Sequence, residues 1–176
     1  MENLDEAVER VLSGDAAAFQ RIVEATSARL VRLSARILGN VADAEDVVQD
    51  AYVKAYRSLT GGQFDRRSRV DTWLYRIVVN GSIDTKRARA RGAIPSDTIA
   101  DVGWDGAANA EARVALNELA DMLAELPEDQ KAALVLKSVE GFSAAEIAEI
   151  MGRAEGAVEQ LLVRARAALK KKVEPS

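Results

Sequence analysis

The stretch "EIAEIMGRAEGAVEQLLVRAR", residues 146–166, decides the fold of the C-terminal part of this chain. Its apolar residues recur every three or four positions on both sides of a glycine, as in two short helices joined by a tight turn. Ala148 is a small residue where the two helices would cross, and Gly152 is a turn residue that tolerates positive φ. Val158 is an apolar residue that would pack the second helix against the first. Other tight helical hairpins share this spacing, so it favours a helix-turn-helix without proving one.

The sequence on either side supports the same motif. Ser143, with Glu146 three positions later, forms a capping box that predicts the start of the first helix. Beyond Val158, an apolar stripe predicts the buried side of the second helix and leaves its arginines and the "KKK" at 170–172 outside. The second helix opens with carboxylates, Glu155 and Glu159, which is unexpected for a helix that reads DNA.

Helical periodicity continues through most of the chain, and no segment alternates convincingly as a strand does. Asp15 and Asp43 are predicted N-caps of the second and third helices, and "GN" at 39–40 is predicted to end the second. The remaining helices are predicted over about 4–12, 70–90, 110–126 and 128–139.

Residues 90–109, "ARGAIPSDTIADVGWDGAAN", break this periodicity with Gly, Pro, Ser and Asp, and predict a linker. Ile99 and Trp104 are too apolar for a purely solvated tether, so they dock on a partner or pack against the chain itself. The prediction is an all-α fold of two small helical domains joined by a flexible linker, the second domain containing the helix-turn-helix. The predicted boundaries are 1–91 for the N-terminal domain, 92–109 for the linker and 110–176 for the C-terminal domain.

Composition excludes several classes of function. The chain has no Cys and no His, which removes disulfides, Cys/His zinc sites, imidazole catalysis and Ser-His triads. No segment approaches the roughly 18 consecutive apolar residues of a membrane span, so we expect a cytoplasmic protein without membrane insertion. The formal net charge is only −4, yet residues 54–91 carry 10 basic and 3 acidic side chains. This basic middle segment indicates either a surface for a polyanion or a solvated helix face.

The fourth helix carries a second group of candidate residues. At 100° per residue, five side chains share a narrow stripe beside the apolar one: Arg69, Trp73, Arg76, Asn80 and Arg87. An aromatic ring among guanidinium groups and an amide suits single-stranded nucleic acid, which needs stacking, phosphate contacts and hydrogen bonds to base edges. Trp73 stands at the boundary of the stripe, so we expect it to be structural and Arg76 and Asn80 to face DNA.

Three segments in order resemble one family. They are "RILGNVADAEDVVQDAYVKAYRSL" (36–59), "FDRRSRVDTWLYRIVVNGSIDTKR" (64–87) and "LPEDQKAALVLKSVEGFSAAEIAEIMG" (126–152). The chain resembles a bacterial sigma factor of the extracytoplasmic-function type, within the sigma-70 family. The resemblance implies an alternative sigma factor that binds core RNA polymerase, recognises and melts a promoter, and is held inactive by an anti-sigma factor.

The resemblance also implies roles for residues. It assigns the docking of the β′ clamp coiled coil of the polymerase to the third helix, through Asp43, Glu45, Asp46, Gln49 and Asp50. It assigns the minus-ten element, with one base flipped into a pocket, to the loop and the fourth helix, through Phe64, Arg66, Arg67, Arg69, Trp73, Arg76, Asn80, Lys86 and Arg87. It assigns the minus-thirty-five element to the helix-turn-helix, through Arg153, Ala157, Glu159, Gln160, Arg164 and Arg166.

The second helix of the motif departs from the family pattern, which has a small polar residue and a Lys or Arg where this chain has "AVEQLL". Gln160 can bond adenine and Glu159 can accept from cytosine N4, so an altered upstream sequence is one interpretation. The other is that the domain mainly docks protein, either the polymerase β flap or an inhibitor.

Two other functions compete with promoter recognition. A sigma mimic would occupy an anti-sigma factor, although it would have no need for the basic fourth helix. A helical Mg²⁺-dependent nucleotide pyrophosphohydrolase would use acidic pairs such as Glu118 with Asp121, Glu125 with Glu128 and Glu146 with Glu149. Such pairs are common on solvated faces, so we predict no catalytic residue, no cofactor, no metal and no small-molecule substrate.

Overall fold

The computed structural model describes residues 3–92 and 110–174, which form eight α-helices and no strand within those ranges. Their bounds are α1 Leu4–Leu12, α2 Ala18–Leu38, α3 Val41–Thr60, α4 Val70–Gly92, α5 Ala110–Ala124, α6 Glu128–Ser138, α7 Ala144–Met151 and α8 Glu155–Val173. The all-α prediction is confirmed. Ile99 and Trp104, and with them the question of where the linker docks, lie outside the described residues.

Two predicted N-caps are wrong, and one predicted helix end is confirmed. Asn40, in an extended conformation, caps α3 by accepting from the backbone N–H of Asp43, so Asp43 lies one turn inside the helix. A turn follows Asp15 and delays the start of α2 to Ala18, while the Asp15 carboxylate binds Arg10 at 2.5 Å. Gly39 ends α2 with φ of 76°, as the "GN" signal predicted.

Helices α1 to α4 form the N-terminal unit, in which α2 contacts α1, α3 and α4. The apolar stripe of α3 is buried from Val47 to Leu59. Gly81 lies where α4 crosses α3, since a Cβ there would stand 3.2 Å from Val47 Cγ1. This close approach holds α4 flat on the unit and leaves its polar side on the surface.

Helices α5 to α8 form the C-terminal unit, in which α6 and α7 pack on α8. The predicted motif is present: Ala148 and Val158 are buried, and Gly152 adopts the left-handed conformation with φ of 64°. The Ser143 capping box is complete, because its hydroxyl accepts from the N–H of Glu146 and the Glu146 carboxylate accepts from the N–H of Ser143.

The two units share one apolar core, which contains residues of α1–α4 and of α6–α8, and a smaller second cluster joins α5 to α6 and α8. The sequence predicted two joined domains and gave no sign of this continuity. Its physical cause is the width of the apolar side of α4, where Tyr75, Val79 and Ile83 are buried as well as Val70 and Leu74. That extra width meets α7 and α6 of the C-terminal unit, a contact we term the seam.

No helix among the described residues is long and apolar enough to cross a membrane.

Candidate nucleic-acid interface

The loop between α3 and α4 is anchored by two aromatic rings. Phe64 and Trp73 are both half-buried, with ring centroids 4.6 Å apart and planes tilted by 46°. Trp73 also packs against the core. The ring pair therefore fixes the loop on the first turn of α4, which agrees with the structural role expected of Trp73.

The loop presents its arginines to solvent. Arg66, Arg67 and Arg69 are exposed, and Arg66 has the one positive φ among the described non-glycine residues, 56°. Its guanidinium binds Glu9 of α1 at 2.8 Å, and both side chains are more than half exposed. Such a pair is weak and easily exchanged. Three guanidinium groups on a loop held by an aromatic pair are suited to phosphates.

On α4, Arg76 is exposed and Asn80 is half-buried, one turn further along the same side. The guanidinium of Arg76 lies against the turn of the helix-turn-helix, since a Cβ at Gly152 would stand 3.4 Å from its Nη2. The residues predicted to contact the minus-ten element are the loop arginines, Phe64, Trp73, Arg76, Asn80, Lys86 and Arg87, and we term them the minus-ten face. One edge of that face borders the seam.

Asp129, near the start of α6, binds two of the predicted DNA-contacting arginines. Its Oδ1 accepts from Arg87 Nη2 at 2.8 Å, and its Oδ2 pairs with Arg153. Arg87 comes from α4 and Arg153 from the turn before α8, so one carboxylate joins both units. Local sequence patterns carry no signal for this pairing, because the partners lie 42 and 24 residues away from Asp129.

A second acidic contact closes the other end of the seam. Glu140 pairs with Arg36 at 3.3 Å, both side chains being only 11% exposed, and accepts from the Tyr75 hydroxyl at 3.1 Å. The Tyr75 ring packs edge-on against Phe142 and carries the Arg29 guanidinium 5.1 Å from its centroid. Burial, followed by the charge of Glu140, raises the pKa of Tyr75, so its hydroxyl stays protonated and donates.

Between these acidic contacts the seam holds two lysines. Lys131 of α6 is 3% exposed and touches the half-buried Lys86 of α4. Burial, then the charge of Lys86, lowers the pKa of Lys131 to about 7, and burial lowers that of Lys86. The sequence carries one signal for Lys131, its place at the start of the apolar run "KAALVL" (131–136), which is buried throughout.

On α3, the predicted polymerase-binding residues divide into two groups. Glu45, Asp46, Gln49 and Asp50 are exposed, and we term them the polymerase face. Asp43 is different, because its carboxylate is 12% exposed and already paired with Arg89 of α4.

The first two turns of α8 present Ala157, Glu159 and Gln160 to solvent, with Arg164 and Arg166 further along. Glu155 occupies the first turn, where a carboxylate favours the positive end of the helix dipole. Arg153 is the exception among the predicted contacts of the motif, because Asp129 holds it towards α6.

Two of the acidic residues considered as Mg²⁺ ligands make other contacts in the structure. Glu146 caps α7, and Glu125 pairs with Lys172. Within residues 3–92 and 110–174, no three metal-ligating side chains converge on one point. Glu146 and Glu125 therefore have structural contacts in this chain.

Both halves of the chain match family models. Residues 22–92 match the model described as sigma-70 region 2, and residues 116–169 match the one described as sigma-70, region 4. Together the two models cover most of α2–α4 and of α5–α8, which are the minus-ten face and the helix-turn-helix with their supporting helices.

Relatives of similar length span almost the whole chain. The ECF RNA polymerase sigma-E factor of Escherichia coli strain K12 is 37% identical, over 96% of this chain and 93% of that protein. The ECF RNA polymerase sigma factor SigW of Bacillus subtilis is 32% identical, over 94% of each. Among solved structures, the sigma factor RpoE of Bartonella quintana, in complex with the anti-sigma factor NepR, superposes with a TM-score of 0.69 at 25% identity, covering 89% of this chain and 98% of that one.

The sequence identity to these relatives, the share of each chain covered and the order of the two regions agree with the geometry of the site. Because the family consists of transcription initiation factors, they exclude the pyrophosphohydrolase hypothesis. The chain belongs to the extracytoplasmic-function sigma factors of the sigma-70 family.

Proposed function

We propose that this chain is an alternative sigma factor that binds core RNA polymerase, recognises a two-part promoter and melts it to start transcription. The observation that carries the proposal is the minus-ten face, where an arginine loop is anchored by Phe64 and Trp73 next to Arg76 and Asn80. A sigma mimic would have no use for such a surface, so promoter recognition is the better explanation.

At the minus-ten element, Arg66, Arg67 and Arg69 hold phosphates of the non-template strand. Arg76 and Asn80 then contact bases or backbone beside the pocket for a flipped base, which trades unstacking energy for edge contacts. Lys86 and Arg87 continue the phosphate track towards upstream duplex, once the seam has released them. Trp73 acts by holding Phe64 and the loop in place.

The polymerase face of α3 docks on the β′ clamp coiled coil. Glu45, Asp46 and Asp50 are exposed and acidic, which suits a basic partner surface and accelerates encounter. The carboxylate of Asp43 contributes indirectly, because its ion pair with Arg89 joins α3 to α4. The C-terminal unit meets the β flap.

The exposed start of α8 enters the major groove of the upstream element. Glu159 accepts from cytosine N4 and Gln160 bonds adenine, while Arg164 and Arg166 hold phosphates. The Glu159 carboxylate therefore reads a base, whereas Glu155 stabilises the N-terminal end of α8. Arg153 joins the phosphate contacts only after leaving Asp129, and Ala157 leaves room for the approach of the groove.

Regulation follows from the kind of structure that this chain resembles. The matched RpoE is bound to an anti-sigma factor, and we infer a separate anti-sigma partner for this chain also. The working compartment is the cytoplasm, where the polymerase acts. The functional division is the one predicted, with residues 1–91 for polymerase and minus-ten binding, 92–109 as linker and 110–176 for the upstream element.

The test is transcription by purified core polymerase from a randomised promoter pool, with and without this chain, followed by sequencing of the transcripts. We expect enrichment of a bipartite motif whose upstream half carries the bases read by Glu159 and Gln160. Core polymerase alone is the control. If the chain binds polymerase and initiates nothing, the sigma-mimic function replaces this one.

A further inference from the structure

Across the seam, one buried amine lies against a second amine. Lys131 of α6 is only 3% exposed, and its side chain is hydrogen-bonded to that of Lys86 from α4. Two ammonium groups in contact repel each other, and burial has removed much of their hydration. A pair with one ammonium and one neutral amine avoids this repulsion, because the neutral amine accepts a hydrogen bond from its neighbour.

The neutral member of the pair is Lys131. Lys86 is half-buried and lies near Glu128, whose negative charge favours the protonated form of Lys86. Among the described residues, burial and the positive charge of Lys86 act on Lys131, and both favour its neutral form. The other carboxylates at the seam are occupied, since Asp129 pairs with two arginines and Glu140 with a third.

A neutral lysine beside another cation is a nucleophile. Burial and the charge of Lys86 lower the pKa of Lys131 to about 7, so about half of its amine is neutral at pH 7, against about one in 3,000 for a free lysine. At 3% exposure the amine is closed to large electrophiles and to modifying enzymes. Carbon dioxide can reach it, because this small, uncharged molecule enters an apolar interior without losing strong hydrogen bonds.

We propose that Lys131 is a carbon dioxide site, where its amine forms a carbamate that pairs with the Lys86 ammonium. The nitrogen lone pair of Lys131 attacks the carbon of CO2, and an N–C bond forms while one C–O π bond opens onto oxygen. One N–H proton then leaves to solvent, for which the half-buried Lys86 provides a route. The products are one carbamate anion and one proton, and nothing is oxidised or reduced.

The adduct replaces a like-charge contact with an ion pair. The carbamate carboxylate extends from Lys131 towards the Lys86 ammonium, and opposite charges attract strongly where water is largely excluded. Lys131 is also the one buried lysine among the described residues, so the reaction should select this position. The inference does not use the proposed function, and a failure of either leaves the other standing.

Covalent trapping tests the proposal on the full, unaltered chain. The chain is incubated at pH 7 with 13C-labelled bicarbonate as the source of CO2, carbamates are esterified with a trialkyloxonium reagent, and peptide mass spectrometry locates the label. We expect at least about tenfold more label on Lys131 than on Lys137, a half-buried lysine of the same helix, from the larger neutral fraction of Lys131. Label at the amino terminus alone, or equal label on both lysines, would overturn the proposal.

Two variants test the role of Lys86. Lys86→Met should carry about tenfold less label on Lys131, because the carbamate loses a charged hydrogen-bond donor and the amine loses the cation that favours its neutral form. Lys54→Met removes an exposed lysine of α3 and should label Lys131 as the parent does. Equal label on Lys131 in the two variants would reject the pairing with Lys86.

Urea unfolding provides an independent readout. A ligand that reacts with the folded chain in preference to the unfolded chain stabilises it. Replacement of chloride by bicarbonate, at constant pH and ionic strength, should therefore shift the urea midpoint of the parent upwards and leave a smaller shift in Lys131→Met. Equal shifts in the two proteins would mean that the folded seam does not bind CO2, and would overturn the site.

Discussion

The two candidate DNA surfaces of this protein differ in charge and in how far the rest of the chain covers them. The minus-ten face is basic, is anchored by an aromatic pair, and borders the seam at one edge. The start of α8 is acidic and open to solvent. Net charge therefore does not identify a surface that reads bases, because phosphate binding needs cations whereas base readout needs the right hydrogen-bonding groups.

Removal of the central contacts of the minus-ten face should have the largest effect. In the double variant Arg76→Ala with Asn80→Ala, we expect promoter melting to fall about 100-fold, since hydrogen bonds to charged groups are worth about 1.5–3 kcal/mol each. Permanganate reactivity of the minus-ten bases measures melting. Binding to core polymerase should be unchanged, as should both properties in Arg32→Ala, an exposed arginine of α2.

A normal open complex in the double variant would mean that the basic face is a solvated surface without a role in melting. Loss of polymerase binding together with melting would move Arg76 and Asn80 to the polymerase contact.

The acidic start of α8 should show a smaller and more selective effect. Glu159→Ala should relax the preference for one upstream base pair by about tenfold, the middle of the range for a good base contact, without loss of minus-ten specificity. Gln160→Ala should do so at the neighbouring base pair. Selection from the randomised promoter pool measures both, with Glu149→Ala on the exposed side of α7 as the charge-matched control.

An unchanged upstream motif in both variants would favour the protein-docking interpretation of α8. Binding of the β flap would then be the property to compare between Glu159→Ala and the control.

The seam between the two surfaces predicts the smallest effect, a pH dependence. The pKa of Lys131 is about 7 in the folded chain and about 10.5 when it is free, so the folded state binds fewer protons between these values. The free energy of unfolding should therefore rise with pH through this window, by about 1 kcal/mol from pH 7 to pH 8, and level off below pH 7.

Urea unfolding at a series of pH values measures this dependence, and Lys131→Met should remove it. Other groups titrate above pH 7, so the difference between the parent and Lys131→Met is the relevant quantity. Equal slopes in the two proteins would mean that the pKa of Lys131 is not lowered in the folded chain.

Local patterns predicted most of the helices and failed where tertiary contacts compete. The predictions from Gly39 and from the Ser143 capping box are confirmed, because a left-handed glycine and a reciprocal cap satisfy backbone groups within a few residues. Asp43 was predicted to cap α3 in the same local way. The cap is instead Asn40, and the Asp43 carboxylate pairs with Arg89, which is 46 residues away in the sequence.

By itself, the sequence determined the all-helical class, the helix-turn-helix, the basic fourth helix and, through three ordered motifs, the sigma factor family. These properties depend on periodicity, caps and spacing, which a chain carries locally. Only the tertiary structure decided that α4 is apolar widely enough to join both units in one core. It alone also placed Asp129 between Arg87 and Arg153, and Lys131 against Lys86, because ion pairs and buried charges depend on distances in space.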